Sequence, residues 1–354
     1  MALLLASCEN VIKYEYDKND GRITILSAMS TLDSSHDVYL SWSYPDRVAA
    51  IPGASVVCTI NGVEHKAVEY IPTEDEQSGY YGMRTVTKYT FDAIFKPGDE
   101  VRIEASKDGK KAWTELTVPQ KPILTQVDTQ TVVRTMHYQD LFDTSTYEEE
   151  YLDVTSKIRD IAGEDNYYTL NCSKRLDFTF YVRDEESDEL KTTKDLFVTD
   201  LSFVTFNDRI LEDGYASQRG TLLEELLPTN EMHGFSDKEF KDGEATLKFS
   251  VESYSLNDFY NYYFYPVGVS RALAKATMQV RLSTISRDYY NYLRALNNMM
   301  TYGYDVSIII EPTMLPNNVT NGYGMVVVRS EEVVSFDMGE TEYDLNYYGP
   351  VYDE

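Results

Sequence analysis

The first third of the sequence alternates short β-branched or aromatic runs with dipeptides that favour tight turns. The runs cover residues 23–26, 38–42, 54–60, 85–95, 100–105 and 113–118, and the dipeptides are Pro52-Gly53, Asn61-Gly62, Pro97-Gly98 and Asp108-Gly109. Asn-Gly and Asp-Gly indicate type I′ hairpin turns, because both central residues of such a turn have positive φ. About seven short strands in roughly 100 residues predict an immunoglobulin-like β-sandwich over residues 22–122, with Trp42 in its core.

The remainder of the chain predicts a larger antiparallel β domain over residues 123–339, so the fold class is mainly β. Strand-like runs cover residues 127–133, 176–182, 196–206, 245–251, 277–283 and 306–310. One or two short helices interrupt them, at residues 221–227 and 286–300. Ser286 is the expected N-cap of the longer helix. Its predicted apolar face holds Tyr289, Leu293, Leu296 and Met300.

Charge and hydropathy exclude several classes of partner. The chain has 32 basic and 59 acidic side chains, a net charge of -27. A surface this acidic repels phosphate backbones, so we expect no nucleic-acid partner. No run of 18 apolar residues occurs, so no helix of this sequence is expected to span a bilayer.

The first residues resemble a lipid-attachment signal. Leu5-Ala6-Ser7-Cys8 follows the order of the bacterial lipobox, in which cleavage leaves a lipid-carrying cysteine at the new N-terminus. Only seven residues precede Cys8, fewer than a full signal has, and an ordinary cysteine after a chance apolar start is the alternative. We interpret residues 1–21 as signal remnant, lipobox and tether, which predicts membrane attachment through lipid alone.

The other two cysteines, Cys58 and Cys172, could form a disulfide in an exported protein. Each lies on a predicted strand face, however, and the two strands belong to different predicted domains. This placement favours two buried free thiols.

No catalytic or metal-binding motif is found. The four histidines, His36, His65, His137 and His233, lack metal-ligand spacing and are expected at the solvated surface, and no CxxC pair occurs. The sequence has no nucleophile elbow, P-loop or dinucleotide fingerprint. We therefore predict no catalytic residues, no metal and no cofactor. A catalytic pair of carboxylates, as in glycosidases, remains an open alternative, because acidic residues are numerous.

An aromatic run is the candidate ligand-binding feature. On a strand, Tyr260, Tyr262 and Phe264 would share one face, and Tyr263 and Tyr265 the other. Exposed rings with polar tips suit sugar stacking or a protein interface, so the candidate ligand-binding residues are Tyr260, Tyr262, Tyr263 and Tyr265. The alternative is an aromatic-rich sheet core. Residues 340–354 form an acidic, tyrosine-rich tail.

An ordered set of short motifs resembles the Bacteroidota lipoproteins grouped as domain of unknown function 4249. The set comprises Ile51-Pro52-Gly53-Ala54-Ser55-Val56, Asn61-Gly62, Lys96-Pro97-Gly98-Asp99-Glu100-Val101, Gly234-Phe235-Ser236-Asp237, Phe240-Lys241-Asp242-Gly243, Ser286-Arg287-Asp288-Tyr289-Tyr290 and Asn321-Gly322-Tyr323-Gly324. The matches run from Cys8 to about residue 336. Met325 departs from the usual pattern, in which an aromatic residue follows the late glycines.

The resemblance implies a lipid-anchored outer-membrane protein associated with a TonB-dependent uptake receptor, and it transfers only Cys8 with a chemical role. Our first hypothesis is a non-enzymatic accessory or binding component of such a receptor, with a glycan or peptide as possible ligand. A surface adhesin or structural subunit is the second hypothesis. A glycan-active enzyme is the third.

Overall fold

A computed structural model of the chain describes residues 20–71, 85–139, 144–161, 163, 165–183, 190–205, 208–216, 229–252, 269–302 and 315–344. In these residues the fold is mainly β, as predicted. The first strands are β1 (Arg22–Ser30), β2 (Ser35–Ser43), β3 (Val48–Ala50), β4 (Ser55–Ile60), β5 (Val63–Lys66), β6 (Val68–Glu69), β7 (Thr87–Asp92), β8 (Glu100–Lys107) and β9 (Lys110–Thr117).

Longer strands and two helices follow. They are β10 (Ile123–Gln139), β11 (Thr144–Arg159), β12 (Tyr167–Arg183), β13 (Leu190–Leu201), β14 (Phe203–Val204), α1 (Arg209–Glu212), β15 (Gly234–Ser236), a 3-10 turn (Asp237–Glu239), β16 (Glu244–Glu252), β17 (Val269–Ile285), α2 (Arg287–Tyr302) and β18 (Tyr323–Asp344). Three of these strands, β10, β12 and β17, have 17 residues and extend well beyond the runs that predicted them. The 22 residues of β18 correspond to none of the predicted runs.

The first sandwich consists of β1, β2 and β7 facing the small sheet β5-β4-β8-β9. Its hydrophobic core takes residues from both sheets. Trp42, which was predicted to lie in this core, is only partly buried and packs against it. In β1, Ile23 and Ile25 are buried while Arg22 and Leu26 are exposed, because successive side chains of a strand point to opposite faces.

Both predicted type I′ turns are confirmed. Asn61 and Gly62 have φ of 48° and 83° between β4 and β5, and Asp108 and Gly109 have φ of 51° and 76° between β8 and β9. Positive φ at both central residues matches the twist of the paired strands. The local sequence therefore sets the register of both hairpins.

The second sandwich places the sheet β10-β11-β16-β14 against β12 and β17. Its core includes Val154 and Phe249 from the first sheet, and Leu170 and Val280 from the second. Both cores are thus built by alternating strand residues, which is the antiparallel sandwich pattern.

One ten-stranded sheet joins the two sandwiches. Its order is β13-β12-β17-β18-β1-β2-β7-β6, with β15 beside β12 and β3 beside β2. β1 and β18 pair in parallel from Thr24↔Tyr323 to Ser30↔Arg329. Val326 and Val328 of β18 consequently lie in the first core, although the sequence placed residues 123–339 in the second domain. β18 also continues to Asp344, into the segment predicted as a tail.

Gly324 allows β18 to approach β1 closely. It has φ of +121°, and a Cβ atom there would lie 2.0 Å from the carbonyl oxygen of Ile25. Gly322 is similar, since its Cβ would lie 2.3 Å from the carbonyl oxygen of Ile23. Both positions need glycine because backbone occupies the space of any side chain.

Glu331 lies at the junction of the two sandwiches and is 0% exposed. Its carboxylate accepts hydrogen bonds from Ser30 at the end of β1 and from Ser283 of β17, the latter at 2.9 Å. The guanidinium groups of Arg281 and Arg329 each lie 3.7 Å from a carboxylate oxygen. A buried carboxylate requires such partners, so this cluster ties the first sandwich to the second.

The longer predicted helix is confirmed as α2, and the Ser286 hydroxyl accepts from the backbone amide of Tyr289 at 3.3 Å. The predicted apolar face is wrong in part. Tyr290, Leu293 and Asn297 are buried, whereas Met300 is 55% exposed. Asn297 is buried because its side chain donates to the Thr229 carbonyl at 2.7 Å and accepts from the Glu231 amide at 2.9 Å. The helix predicted at residues 221–227 lies outside the described residues.

Cys58 and Cys172 are buried free thiols in different cores, as predicted. Burial raises the pKa of Cys58 to about 12, and it raises the pKa of Cys172 as well. Both therefore stay protonated and unreactive at neutral pH. In the described part of the chain, no helix has the length and apolarity needed to cross a bilayer.

Candidate functional site

A pocket of about 370 Å³ opens between α1, the 3-10 turn and α2; we call it the α1–α2 pocket. α1 is held in place by its N-cap, Asp208. The Asp208 carboxylate accepts hydrogen bonds from the backbone amides of Ile210 and Leu211 at 3.0 Å and from the backbone amide of Lys248 at 2.5 Å. At the other end of α1, Asp213 is the C-cap, with φ of 47°. The tight turn after α1 aims the Asp213 side chain at α2.

Asp213 is the centre of the polar contacts in the pocket. Its Oδ2 accepts from the hydroxyl of Tyr290 at 2.5 Å and from Nη1 of Arg294 at 2.7 Å. Its Oδ1 accepts from the backbone amide and hydroxyl of Ser236, both at 3.3 Å. Tyr290 and Arg294 are one helical turn apart on α2, so the carboxylate binds both at once.

Arg294 is fixed from several sides. Its Nη1 also donates to the Asp213 carbonyl at 3.1 Å, and its guanidinium carbon lies 4.9 Å from the centre of the Tyr215 ring. Tyr215 in turn donates to Oδ1 of Asn298 at 3.1 Å. A cation over an aromatic face is stabilised by the ring quadrupole, so the guanidinium is held rigidly.

The protonation of the cluster follows from its burial. Burial, followed by the hydrogen bond to Asp213, raises the pKa of Tyr290 to about 12. Burial opposes the charge of Arg294, but the contacts with Tyr290, Tyr215 and Asp213 outweigh it and leave the pKa of Arg294 raised. At neutral pH, Tyr290 is therefore a hydrogen-bond donor and Arg294 is a cation.

Charges of both signs line the α1–α2 pocket. Arg209, Lys238 and Arg294 supply three cations, and Glu212, Asp213 and Glu239 supply three carboxylates. Arg209, Lys238 and Glu239 are exposed at its rim. This lining suits a polar ligand with several hydrogen-bonding groups better than an apolar one.

A second polar cluster lies on the outer face of the sheet β10-β11-β16-β14. Arg134 donates twice to the Asp153 carboxylate at 2.7 Å and once to the Ser250 hydroxyl at 3.2 Å. Ser250 donates to Asp153 at 2.6 Å. The space beside this cluster is about 120 Å³, smaller than the α1–α2 pocket.

The surface position predicted for the histidines is wrong for His36. This side chain is 3% exposed and its Nε2 is 3.1 Å from the Ala93 carbonyl, because its strand position faces the first core. His233 is half-buried against the Phe203 ring, and burial lowers its pKa to about 4. Within the described ranges, no three His, Cys, Asp or Glu side chains are grouped so as to hold a metal ion.

The residues chosen from the sequence do not coincide with this pocket. Tyr260, Tyr262, Tyr263 and Tyr265 lie outside the described residues, and so does Cys8. The pocket residues were missed because Asp213 and Tyr290 are 77 positions apart. The available signals were the Asp213-Gly214 turn pair and the four-residue spacing of Tyr290 and Arg294.

The fold and site define a class of mainly β protein, in which two sandwiches share one sheet and a polar pocket lies over the second. A family model described as "Domain of unknown function (DUF4249)" matches residues 9–333, so the chain belongs to this family. The resemblance to domain of unknown function 4249 that was found in the sequence is thereby confirmed.

Other comparisons add little. A DUF4785 family protein from Legionella pneumophila, solved by crystallography, matches 74% of this chain at 8% identity, with a TM-score of 0.21. The match covers 52% of that protein, so the chain spans about half of its length. No curated protein matches the sequence.

Proposed function

We propose that the protein is a lipid-anchored protein of the outer membrane that acts by binding, as a non-enzymatic accessory component of a TonB-dependent uptake receptor. The observation that carries the proposal is Leu5-Ala6-Ser7-Cys8, placed shortly before the first sandwich. Membership of the DUF4249 family supports the proposal, since the resemblance implies lipoproteins that accompany such receptors.

In this proposal, the length of chain between Cys8 and Asp20 limits the distance between the membrane and the first sandwich. Asp20 and Gly21 are held at the β8–β9 hairpin, where Lys110 Nζ donates to Asp20 Oδ1 at 2.9 Å and to the Gly21 carbonyl at 2.6 Å. Asp20 is 12 residues after Cys8, and twelve residues span at most about 40 Å. The hairpin end of the first sandwich therefore lies near the bilayer.

The α1–α2 pocket is the binding site in this proposal. Its Tyr215 ring and its paired charges suit a peptide or glycan that presents hydrogen-bonding groups. Asp213 fixes Tyr290 and Arg294 without a ligand, so the site is preorganised and little entropy is lost on binding.

The first test is a pull-down of the full-length protein from native outer membranes, with mass spectrometry of the protein and of its partners. We expect a lipid mass on Cys8 and recovery of one TonB-dependent receptor. Cys8→Ala is the control and loses both. An unlipidated Cys8 would contradict the anchor, whereas recovery of the protein alone would favour the adhesin or structural role.

The pocket is tested by calorimetry against panels of peptides and oligosaccharides. For any ligand found, Arg209→Ala with Lys238→Ala should weaken binding about tenfold or more, because charge-assisted hydrogen bonds are lost. Lys66→Ala with Lys96→Ala changes the net charge equally at exposed sites on the first sandwich. Equal weakening by both double variants would contradict the assignment of the pocket.

A further inference from the structure

Arg294 of α2 makes all of its hydrogen bonds to the described residues through one nitrogen. Nη1 donates to Oδ2 of Asp213 at 2.7 Å, to the Asp213 carbonyl at 3.1 Å and to the Tyr290 hydroxyl at 3.0 Å. Nε and Nη2 donate to no atom of those residues, and 39% of the Arg294 side chain is exposed. Part of the donor set of this guanidinium is therefore open to a ligand.

The contacts of Nη1 decide where the open donors point. In a planar guanidinium, the edge formed by Nε and Nη2 lies opposite Nη1. Because Asp213 and Tyr290 hold Nη1, this edge faces away from both of them. The Tyr215 ring, 4.9 Å from the guanidinium carbon, limits tilting of the plane. Arg294 lines the α1–α2 pocket, so it offers the pocket a preorganised pair of parallel N–H donors, which we call the Arg294 fork.

The Arg294 fork matches the geometry of an oxyanion. Two parallel N–H donors fit two oxygens of a carboxylate or of a phosphate, each in a charge-assisted hydrogen bond. Arg209 and Lys238 also line the pocket and are exposed at its rim, and neither forms an ion pair within the described ranges. Both can therefore add positive charge beside a bound oxyanion.

The carboxylates of the lining limit how much negative charge the ligand can carry. Three cations and three carboxylates line the pocket, so its formal charge before binding is zero. The whole chain carries a net charge of -27. A dianionic phosphate is repelled more strongly by these carboxylates than a group with a single negative charge. The pocket consequently favours a carboxylate over a phosphate or a sulfated polyanion.

We propose that the α1–α2 pocket recognises a carboxylate of its ligand, bound by Nε and Nη2 of Arg294 and attracted by Arg209 and Lys238. The inference rests on the proposed function, in which this pocket is the binding site, and it gives the chemical class of the ligand. Asp213 is the positioning residue of the Arg294 fork. A peptide supplies a carboxylate at its C-terminus, and an acidic sugar supplies one on its ring, so the experiment includes both sources.

Matched pairs of acidic and neutral probes test the proposal. The peptide pair is N-acetyl-dialanine and its carboxamide, and the sugar pair is digalacturonic acid and its methyl ester. Calorimetry measures the affinities, and the NMR signal of the Arg294 Nε–H group reports contact at the fork itself. We expect at least one acid to bind and to shift this signal, and its neutral partner to bind more weakly by about tenfold or more. The acid that binds identifies the source as peptide or glycan.

Arg294→Lys separates the geometry of the fork from its charge. Lysine keeps the positive charge but cannot bind a carboxylate through two parallel donors, so affinity for the acid should fall about tenfold or more. Affinity for the neutral partner should hardly change. Arg271→Lys is the matched control, because Arg271 is exposed on β17, pairs with Glu342 and does not line the pocket.

A second variant keeps the test independent of any folding defect. Arg294 contacts Asp213, so circular dichroism melting checks the fold of Arg294→Lys. Arg209→Ala with Lys238→Ala changes only exposed side chains and should weaken binding of the acid more than binding of its neutral partner.

Several outcomes overturn the carboxylate proposal. They are equal binding of an acid and its neutral partner, tighter binding of inorganic phosphate than of either acid, unchanged affinity in Arg294→Lys, and an Arg294 Nε–H signal that neither acid shifts. A neutral probe whose binding depends on Arg209 and Lys238 would remove the carboxylate and keep the pocket as the binding site. A pull-down without a receptor would instead contradict the accessory role and leave the carboxylate site standing.

Discussion

At the scale of single residues, Asp213 joins three elements of the α1–α2 pocket. Its carboxylate receives hydrogen bonds from Tyr290 and Arg294 of α2 and from Ser236 of β15. The Asp213 side chain is 9% exposed and that of Arg294 is 39% exposed. The pair is therefore better shielded from solvent than an ordinary surface ion pair, and we expect its loss to be measurable.

We predict that Asp213→Ala lowers the free energy of unfolding by about 2 kcal/mol, because Tyr290 and Arg294 lose a charged acceptor. Asp213→Asn should cost less, since asparagine tolerates the positive φ and keeps one acceptor oxygen. Urea denaturation measures both. Asp46→Ala is the control, because Asp46 pairs with Arg47 at the surface and should cost less than about 1 kcal/mol. Equal costs at the two sites would contradict the prediction.

Single residues also show which features of the structure the sequence could predict and which it could not. Cys58 and Cys172 were predicted correctly, because the alternation of a strand decides which face is buried. His36 was misplaced, since a histidine gives no periodic apolar signal even where its strand position faces the core. The Asp213–Arg294 contact could not be predicted, because no local pattern relates residues 81 positions apart.

At the scale of elements, the parallel pair of β1 and β18 depends on Gly324. Two effects act at this position, a positive φ and a backbone oxygen where a side chain would lie. Gly62 shares the positive φ, with no atom within 4 Å of its Cβ position. The two glycines therefore separate conformational strain from steric exclusion.

We predict that Gly62→Ala costs about 1 to 2 kcal/mol, the price of a left-handed backbone at alanine. Gly324→Ala should cost more than about 4 kcal/mol, because β18 must also move away from β1. Thermal and urea unfolding of the two variants give the comparison. Similar costs would mean that β18 does not approach β1 as closely as described.

Local sequence signals predicted where strands and turns lie better than they predicted which strands pair. Turn dipeptides and alternating runs were enough for the first sandwich, whose hairpins close within a few residues. The lengths of β12 and β17 were underestimated, since polar residues on their solvent faces interrupt the apolar pattern. The buried face of α2 differs from the predicted apolar face because Asn297, a polar residue, is buried.

At the scale of the whole molecule, the Glu331 cluster connects the sandwiches. Its serine partners come from β1 and β17, so a change there affects both units. Both tryptophans, Trp42 and Trp113, belong to the first sandwich, whereas circular dichroism reports on the whole chain. The two signals can therefore test whether the units unfold together.

We predict that Glu331→Ala costs about 2 to 3 kcal/mol, because the buried hydroxyls of Ser30 and Ser283 lose their acceptor and the partly exposed Arg281 and Arg329 lose a nearby carboxylate. The midpoints from tryptophan fluorescence and from circular dichroism should fall together. Glu332→Ala is the matched control, since Glu332 is partly exposed and pairs with Lys121 at the surface; it should cost less than about 1 kcal/mol. A fall of the fluorescence midpoint with no change in the circular dichroism midpoint would contradict the idea that Glu331 connects the two sandwiches.

The pairing of β1 with β18 also governs when this chain can fold in a cell. Thr24 leaves the ribosome 299 residues before its sheet partner Tyr323. At about 5 to 20 residues per second, that interval lasts roughly 15 to 60 s. Throughout it the first core lacks Val326 and Val328, so the nascent chain remains incompletely folded until synthesis is nearly complete. If the chain is exported as proposed above, this delay would keep it able to pass through a secretion channel that accepts only unfolded polypeptide.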